Sequence, residues 1–265
     1  MKTVSTRGEL AAARVQLPGR VAVVMTMGAL HDGHVELVKR ARAEADSVVV
    51  TIFLNPLQFA AGEDLDRYPR RLDADLPLCE EAGADLVFTP LPAEVYPTEP
   101  VVRVSAGAIG DVFEGASRPG HFDGVVTVVL KLLHLVNPDI AYFGQKDAQQ
   151  LACIRRMVRD LDVPVEIVAV PTVRDADGLA LSSRNEYLTA EQRAHALVLA
   201  RALATRDVAR GRAMVEAEPG VDLDYFERVD SDTFDTTPDG NLLVVAARVG
   251  TTRLIDNLLL QEAAA

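Results

Sequence analysis

Short apolar runs alternate with amphipathic stretches along the first two thirds of the chain. Residues 21–25, 48–54 and 140–143 are runs dominated by apolar residues, as in strands that are buried on both faces. Between them, apolar residues recur every three or four positions, which is typical of helices. The alternation predicts a doubly wound, Rossmann-like α/β domain, in which helices cover both faces of a parallel sheet.

The other segments of this part extend the same pattern. They predict strands at residues 85–88 and 165–170, and helices at residues 34–45, 72–82, 124–136 and 148–160.

After Pro171 the pattern changes. A capping-box sequence at residues 189–192 predicts a helix of about twenty residues, and residues 224–229 and 242–249 predict two antiparallel strands. We therefore predict two domains, a Rossmann-like domain at residues 1–172 and a smaller α+β domain at residues 173–265.

Charge and composition restrict the class of protein. The net charge of −12 argues against a general nucleic-acid surface, so an anionic substrate needs a local cluster of cations. Residues 1–5 lack the apolar core of a signal peptide, and the most apolar stretch, residues 125–136, is too short to cross a bilayer. Two isolated cysteines fit a reducing compartment. We expect a cytoplasmic protein without nucleic-acid or membrane partners.

The most informative segment is residues 26–34, Thr-Met-Gly-Ala-Leu-His-Asp-Gly-His, between a predicted strand and a predicted helix. His31 and His34 are three positions apart, so a helix start presents them on one face. The backbone N–H groups and the positive dipole end of that helix lie beside them. This arrangement predicts a polyphosphate site.

Two other interpretations of the histidines remain open. With Asp32 they could bind zinc, although the chain has only five histidines and its cysteines, Cys79 and Cys153, are isolated. They could also simply cap the helix.

Polar residues follow two more predicted strands. Asn55 and Gln58 offer neutral donors and acceptors that suit hydroxyl and carboxyl groups, although Asn-Pro is also an ordinary turn. After residue 143, Gly144 permits close approach of a ligand to the backbone, and Lys146 supplies a point charge for phosphate. Gln150 lies one helical turn beyond Lys146 and shares its face.

Three further segments are ambiguous by themselves. Tyr68 lies among three arginines, which is also typical of a solvated helix start. Arg118 and His121 lie in a glycine-rich stretch that could be a flexible loop. Ser182, Ser183 and Arg184 pair hydroxyls with a guanidinium in a predicted turn.

Taken in order, these segments resemble the pantoate–β-alanine ligase (pantothenate synthetase) family of His-x-Gly-His nucleotidyl transferases. The resemblance rests on residues 26–34, 55–59, 68–70, 118–122, 144–150, 177–187 and 251–257. It covers almost the whole chain, with a weak match at residues 201–241. Met25 and Gln145 depart from the family pattern, which usually has proline and an acidic residue at these positions.

The resemblance implies an ATP-dependent ligase with Mg²⁺ as cofactor. In this family the carboxylate of pantoate attacks the α-phosphate of ATP, which gives pantoyl adenylate and pyrophosphate. The amine of β-alanine then displaces AMP. The family also implies a homodimer, and a second domain that serves as a lid.

The resemblance further assigns roles to individual residues. It makes His31, His34, Lys146 and Arg184 catalytic, with His34 as the proton donor to the leaving oxygen. The implied ATP-binding residues are Met27, Gly28, His31, His34, Gly144, Lys146, Asp147, Val173, Leu181, Ser182, Ser183 and Arg184. The implied residues for pantoate and β-alanine are Gln58, Gln150, Asn55, Tyr68, Arg118 and His121. Protein ligands of Mg²⁺ are not implied, and the ion is expected on the ATP phosphates.

Two rival functions share part of this pattern. One is another member of the superfamily, a mononucleotide adenylyltransferase or a fragment of a class I tRNA synthetase. The other is a nucleotide-binding regulator without turnover. The acidic charge argues against the synthetase, residues 55–59 and 144–150 argue against the adenylyltransferase, and the joint presence of His31, His34, Lys146 and Arg184 argues against the regulator.

Overall fold

The computed structural model describes residues 1–60 and 63–260 of the chain, and these residues form two compact units. The first unit comprises Met1–Gly144 and Cys153–Val170. The second comprises Gln145–Ala152 and residues 171–260. The predicted domain boundary near residue 173 stays a prediction. The predicted first domain included the short segment Gln145–Ala152, which here belongs to the second unit.

A six-stranded parallel sheet forms the centre of the first unit. Its strands are β1 (Lys2–Val4), β2 (Val21–Thr26), β3 (Ser47–Ile52), β4 (Leu86–Phe88), β5 (Ile140–Gly144) and β6 (Glu166–Val170). They lie in the order β1-β4-β3-β2-β5-β6. In β2 the residues Val21–Val24 are completely buried, because parallel strands are covered on both faces and select continuous apolar runs.

Helices connect these strands. The helices that begin before Pro171 are α1 (Arg7–Arg14), α2 (Asp32–Glu44), α3 (Leu72–Ala82), α4 (Pro92–Val95), α5 (Glu114–Ser117), α6 (His121–Val136) and α7 (Ala148–Asp160). The bounds predicted for α3 and α7 are confirmed. Helix α6 begins three residues earlier than predicted, because Gly120 (φ 78°) already turns the chain into the helix. No helix among the described residues is long and apolar enough to cross a membrane.

The order of the strands reverses beside β2. Strands β3, β4 and β1 continue the sheet on one side of β2, whereas β5 and β6 lie on the other. In doubly wound folds, ligands bind at such a switch point, outside the carboxyl ends of the two strands. Here these ends are Thr26 of β2 and Gly144 of β5.

The second unit packs three helices and an antiparallel sheet around its own apolar core. Its helices are α8 (Ala190–Ala196), α9 (Val198–Ala204) and α10 (Val208–Glu216), and its sheet has the order β7 (Val221–Val229), β8 (Leu242–Val249), β9 (Thr252–Leu259). The capping box predicted at Thr189 is present. The single long helix is wrong, because the chain breaks at Leu197 and again at Arg206, whose φ is 56°.

The predicted fold class, a doubly wound parallel sheet followed by a smaller α+β part, is confirmed. Strand β9 was not predicted as a strand, because its apolar residues are interrupted by the buried polar pair Asp256 and Asn257.

Candidate functional site

A tight turn links β2 to α2. Gly28 has φ 89° and Ala29 has φ 51°, so two successive residues adopt left-handed backbone conformations. Glycine is the residue that tolerates this region without steric cost. A Cβ on Gly28 would also lie 3.2 Å from Oδ2 of Asp75. The turn therefore requires glycine at this position and brings the chain into the first turn of α2.

His31 and His34 cap the start of α2 reciprocally. Nδ1 of His31 accepts the backbone N–H of Gly33 at 3.1 Å, and Nδ1 of His34 accepts the backbone N–H of His31 at 3.3 Å. The ring centroids are 4.2 Å apart. The interpretation of the histidines as helix caps is thus part of the structure, and it does not compete with a role in phosphate binding.

The capping contacts determine where each imidazole carries its hydrogen. Because a backbone N–H donates to each Nδ1, the neutral rings of His31 and His34 carry hydrogen on Nε2. Two Nε2–H donors on one face of a helix start suit the oxygens of a phosphate group.

Asp75 of α3 holds this turn and is not among the residues predicted from the sequence. Its carboxylate accepts the backbone N–H of Ala29 at 3.0 Å and that of Leu30 at 2.8 Å, and the residue is only 2% exposed. Asp75 and the buried Cys79 are four positions apart on one face of α3. A carboxylate at a position of the apolar stripe was the signal that could have identified it.

A cluster of neutral polar groups follows β3. The Asn55 amide donates to Oε1 of Gln58 and to the backbone oxygen of Gly124, both at 3.1 Å, and Tyr96 donates its hydroxyl to Oδ1 of Asn55 at 3.0 Å. Burial raises the pKa of Tyr96 to about 12, so its hydroxyl remains a donor at neutral pH. Asn55 and Gln58 are buried.

Gln58 also connects this cluster to the turn between β2 and α2 that carries His31 and His34, the histidine turn. Its Nε2 lies 3.0 Å from Sδ of Met27. Met27, which is predicted to bind ATP, and Gln58, which is predicted to bind pantoate, are therefore neighbours within the first unit.

Gly124 of α6 permits a close approach to the same segment. A Cβ at this position would lie 2.2 Å from the backbone oxygen of Leu57. No side chain fits there, so α6 approaches the turn Pro56–Gln58 directly through its backbone.

Arg118 and His121 fix the carbonyl of Gln58. Arg118 forms a fork on Glu63, with Nε to Oε1 at 2.8 Å and Nη2 to Oε2 at 2.6 Å, and Nη2 also reaches the Gln58 oxygen at 3.3 Å. His121 donates from Nδ1 to that oxygen at 2.8 Å. The Arg118 hydrogen bonds lower the pKa of Glu63. Tyr68 lies further along, with its ring 6.2 Å from that of Phe59.

In the second unit, Lys146 and Asp147 lie on the turn Gln145–Asp147, with Nζ of Lys146 3.6 Å from Oδ1 of Asp147. Gln150 follows on the first turn of α7. Gly144 precedes this segment at the end of β5, and a Cβ there would meet no atom of the described chain within 4 Å. That space is consistent with the predicted approach of a ligand to Gly144.

Val173 and Leu181 are brought together by a hairpin of the second unit. The Leu181 N–H donates to the Val173 oxygen at 3.0 Å. Directly after it, the Ser182 hydroxyl accepts the Arg184 N–H at 3.2 Å and caps the turn Ser183–Tyr187. Five predicted ATP-binding residues thus lie on one continuous segment of chain, namely Val173, Leu181, Ser182, Ser183 and Arg184.

Residues 1–60 and 63–260 contain no group of three or more His, Cys, Asp or Glu side chains that is arranged to hold a metal ion. The pair His31 and His34 is therefore not completed to a protein zinc site by any described side chain.

The chain is similar to known proteins of one family. The family model for pantoate-β-alanine ligase matches residues 1–259. Pantothenate synthetase of Acidothermus cellulolyticus is 55% identical over 276 aligned positions, which cover 97% of this chain and 91% of that protein.

Two crystal structures are also similar. Pantothenate synthetase from Thermus thermophilus has a TM-score of 0.92 and 48% identity, and the match covers 99% of this chain and 100% of that chain. Pantoate-β-alanine ligase from Francisella tularensis, complexed with β-γ ATP and β-alanine, has a TM-score of 0.85 and 33% identity with full coverage of both chains.

Proposed function

The chain belongs to the pantoate–β-alanine ligase family, and we propose that it forms pantothenate through a pantoyl-adenylate intermediate. It is an ATP-dependent enzyme that joins pantoate to β-alanine. A match of one ligase family to residues 1–259 leaves no reason to prefer an adenylyltransferase, a synthetase fragment or a regulator.

The adenylate follows from the chemistry of the carboxyl group. A carboxylate oxygen of pantoate attacks the α-phosphorus of ATP, and the bond to the bridging oxygen breaks with release of pyrophosphate. The β-alanine nitrogen then attacks the acyl carbon, AMP leaves with the electron pair of the broken C–O bond, and the nitrogen loses a proton. Negative charge grows on phosphate oxygens in the first step, so fixed donors near them accelerate it.

We assign these donors in the first unit to His31 and His34. Both neutral rings carry hydrogen on Nε2, because backbone N–H groups bind their Nδ1 atoms. Protonation of Nδ1 would break these caps, so the geometry favours donation of a hydrogen bond over complete transfer of a proton. His34 is the residue we propose to act on the leaving oxygen. This reciprocal cap, beside the switch point of the sheet, is the observation that carries the proposal.

The acid substrate is assigned to the amide cluster. Gln58 and Asn55 bind pantoate through neutral amides, with Gln150 as a further contact, and Gln58 also contacts β-alanine. Neutral amides suit a carboxyl group whose charge disappears during the reaction. We assign Tyr68, Arg118 and His121 to the same substrates, and the fork on Glu63 gives Arg118 the additional task of holding the Gln58 carbonyl.

The remaining nucleotide contacts are assigned by family resemblance. Met27 and Gly28 lie against the nucleotide, Gly144 permits its approach, Lys146 binds phosphate and Asp147 binds ribose. Arg184 binds the phosphates that leave, with Val173, Leu181, Ser182 and Ser183 as neighbouring contacts.

Mg²⁺ is assigned to the ATP phosphates. The described residues offer no three-ligand cage, and Mg²⁺ in nucleotide enzymes is commonly held by substrate phosphates and waters with few protein ligands. When bound, the ion neutralises phosphate charge. From the family we also propose a homodimer that works in the cytoplasm.

The two-step route is tested without the amine. Enzyme with ATP, Mg²⁺ and pantoate alone is expected to release about one pyrophosphate per site, because the intermediate accumulates, and an acid quench should recover the adenylate. Addition of β-alanine should then yield AMP and pantothenate. Release of pyrophosphate only after β-alanine is added would exclude the route, and release without pantoate would indicate a different acceptor.

A further inference from the structure

Residues 251–257 contribute to the family resemblance, yet none of them has a role in the proposed reaction. Two of them, Asp256 and Asn257, are polar residues near the end of β9 and are each only 5% exposed. Buried polar side chains are costly unless their hydrogen bonds are satisfied. Their partners therefore indicate what they do.

Asn257 binds the backbone of the turn that carries Lys146. Its Nδ2 donates one hydrogen to the Gln145 oxygen and one to the Lys146 oxygen, both at 2.9 Å. One amide thus uses both of its hydrogens on two successive carbonyls, which fixes the orientation of the turn as well as its position.

Asp256 binds the other predicted nucleotide segment of the second unit. Its two oxygens accept from Arg174 at 2.6 Å and 2.9 Å, and Arg174 also donates to the Gly178 oxygen at 3.1 Å. Arg174 and Gly178 belong to the hairpin that pairs Val173 with Leu181 and leads into Ser182. Oδ1 of Asp256 in addition accepts the Asn257 N–H at 2.8 Å.

We propose that Asp256 and Asn257 are positioning residues for the ligase reaction. Through them, one end of β9 sets the distance between the Lys146 turn and the segment 181–184, so that both meet the nucleotide in register. This inference rests on the proposed function of Lys146 and Arg184.

Stability alone does not require this arrangement. Replacement of buried polar or ionic groups by well-packed apolar residues is often neutral or stabilising. Here the polar groups are directed at the backbone of two segments that we assign to ATP. Because a misplacement of about 1 Å can cost about 10²-fold in rate, binding the turn by its backbone is an effective way to fix the Lys146 side chain.

The test uses two variants of Asn257 and a matched pair of controls. Asn257→Asp places a carboxylate oxygen against the two carbonyls, and Asn257→Ala removes the amide. Asn241→Asp and Asn241→Ala make the same changes at an exposed position of the same unit, where the amide binds Ser231. For all four variants, the thermal midpoint, kcat and KM for ATP are measured, each with and without Lys146→Ala.

A positioning role predicts a specific pattern. Both Asn257 variants should lose about 10²-fold in kcat/KM for ATP and still unfold cooperatively, whereas the Asn241 variants should keep wild-type rates. In the Lys146→Ala background, the change at Asn257 should cost only a few-fold, because the group that it positions is gone.

Three results would overturn the inference. The first is wild-type kinetics in both Asn257 variants. The second is a loss of kcat/KM for ATP at Asn257 that is equally large in the wild-type and Lys146→Ala backgrounds. The third is failure of both Asn257 variants to fold while the Asn241 variants fold. A wild-type enzyme that makes no pantothenate would instead refute the proposed function, so the two failures are distinguishable.

Discussion

Nδ1 of His34 accepts the backbone N–H of His31 at 3.3 Å, across the first turn of α2. The same imidazole that we assign to phosphate therefore also stabilises the helix start. Substitution by alanine removes both functions together. A side chain that keeps an acceptor atom at the position of Nδ1, but has no Nε2–H, separates them.

We expect His34→Asn and His34→Ala to lose adenylation activity equally but to differ in stability. Asparagine places Oδ1 near the former Nδ1 and keeps the cap, whereas alanine loses it, at a cost of about 1 kcal/mol. Both variants lack the Nε2–H donor, so pantoate-dependent ATP–pyrophosphate exchange should fall about 10²–10³-fold. Near-normal exchange in His34→Asn would show that His34 acts only as a cap.

Asp75→Asn should weaken the histidine turn from outside it. Asparagine presents an NH₂ group to one of the two N–H donors of Ala29 and Leu30, which costs about 1–3 kcal/mol and shifts the ring positions. We expect the exchange rate to fall about tenfold or more. Asp73→Asn on the exposed side of α3 is the control. Equal kinetics in both variants would count against a link between Asp75 and the histidines.

Gln58→Ala should weaken binding of pantoate and leave ATP binding nearly unchanged. Its amide is assigned to pantoate, so the KM for pantoate should rise about tenfold, the effect of one or two lost hydrogen bonds. ATP affinity, measured by calorimetry, should stay nearly unchanged. The exposed Gln16→Ala serves as control. An equal loss of affinity for pantoate and for ATP would indicate a displaced loop instead.

Gly124→Ala should disturb the amide cluster through sterics. The new Cβ would lie 2.2 Å from the Leu57 oxygen, and overpacking of this kind costs about 1–3 kcal/mol. The thermal midpoint should fall and the KM for pantoate should rise. Gly8→Ala in α1, where a Cβ meets nothing within 4 Å, should instead stabilise by up to about 1 kcal/mol. An unchanged thermal midpoint and an unchanged KM for pantoate in Gly124→Ala would refute the close contact.

Glu63→Gln should change the acid dependence of stability. Hydrogen bonds from Arg118 lower the Glu63 pKa below its ordinary value of 4.5, so the ionised fork stabilises the fold above that value and is lost as pH falls through the lowered pKa. Solvent screening of this partly exposed pair limits the effect to about 1 kcal/mol.

The thermal midpoint of Glu63→Gln should therefore lie below that of the wild type at pH 7, and the gap should close as the pH falls well below 4.5. Glu81→Gln, exposed on α3, reports the general effect of removing one negative charge. A gap that persists unchanged at low pH would show that Glu63 acts through packing.

Local patterns predicted the elements well where burial on both faces leaves little choice. The run in β2 and the bounds of α3 and α7 follow from the residues themselves. The single long helix after Thr189 is wrong because good helix formers surround the first break, at Leu197, and give no local sign of it. At the second break the sequence does carry a signal, since Asp207 follows Arg206 and caps α10.

The candidate chemical groups of the site are visible in the sequence, whereas the residues that support them are not. His31, His34 and Lys146 carry their chemistry in their own side chains and are visible in the sequence. Asp75 and Asn257 act on backbone groups 45 and 111 positions away, respectively. Nothing in their neighbourhood along the chain shows which backbone groups they bind, so only the folded structure identifies these partners.

The pairing of Asn257 with the Lys146 turn also affects how the protein can be divided. The chain enters the second unit at Gln145, returns to the first at Cys153 and leaves it again at Pro171. A protease cut near residue 173 would therefore leave residues 145–152 covalently attached to the first fragment, while Asn257, which binds their backbone, belongs to the other. No single break in the polypeptide separates these two units, and fragments divided near residue 173 would have to reassociate before the Lys146 turn regains Asn257.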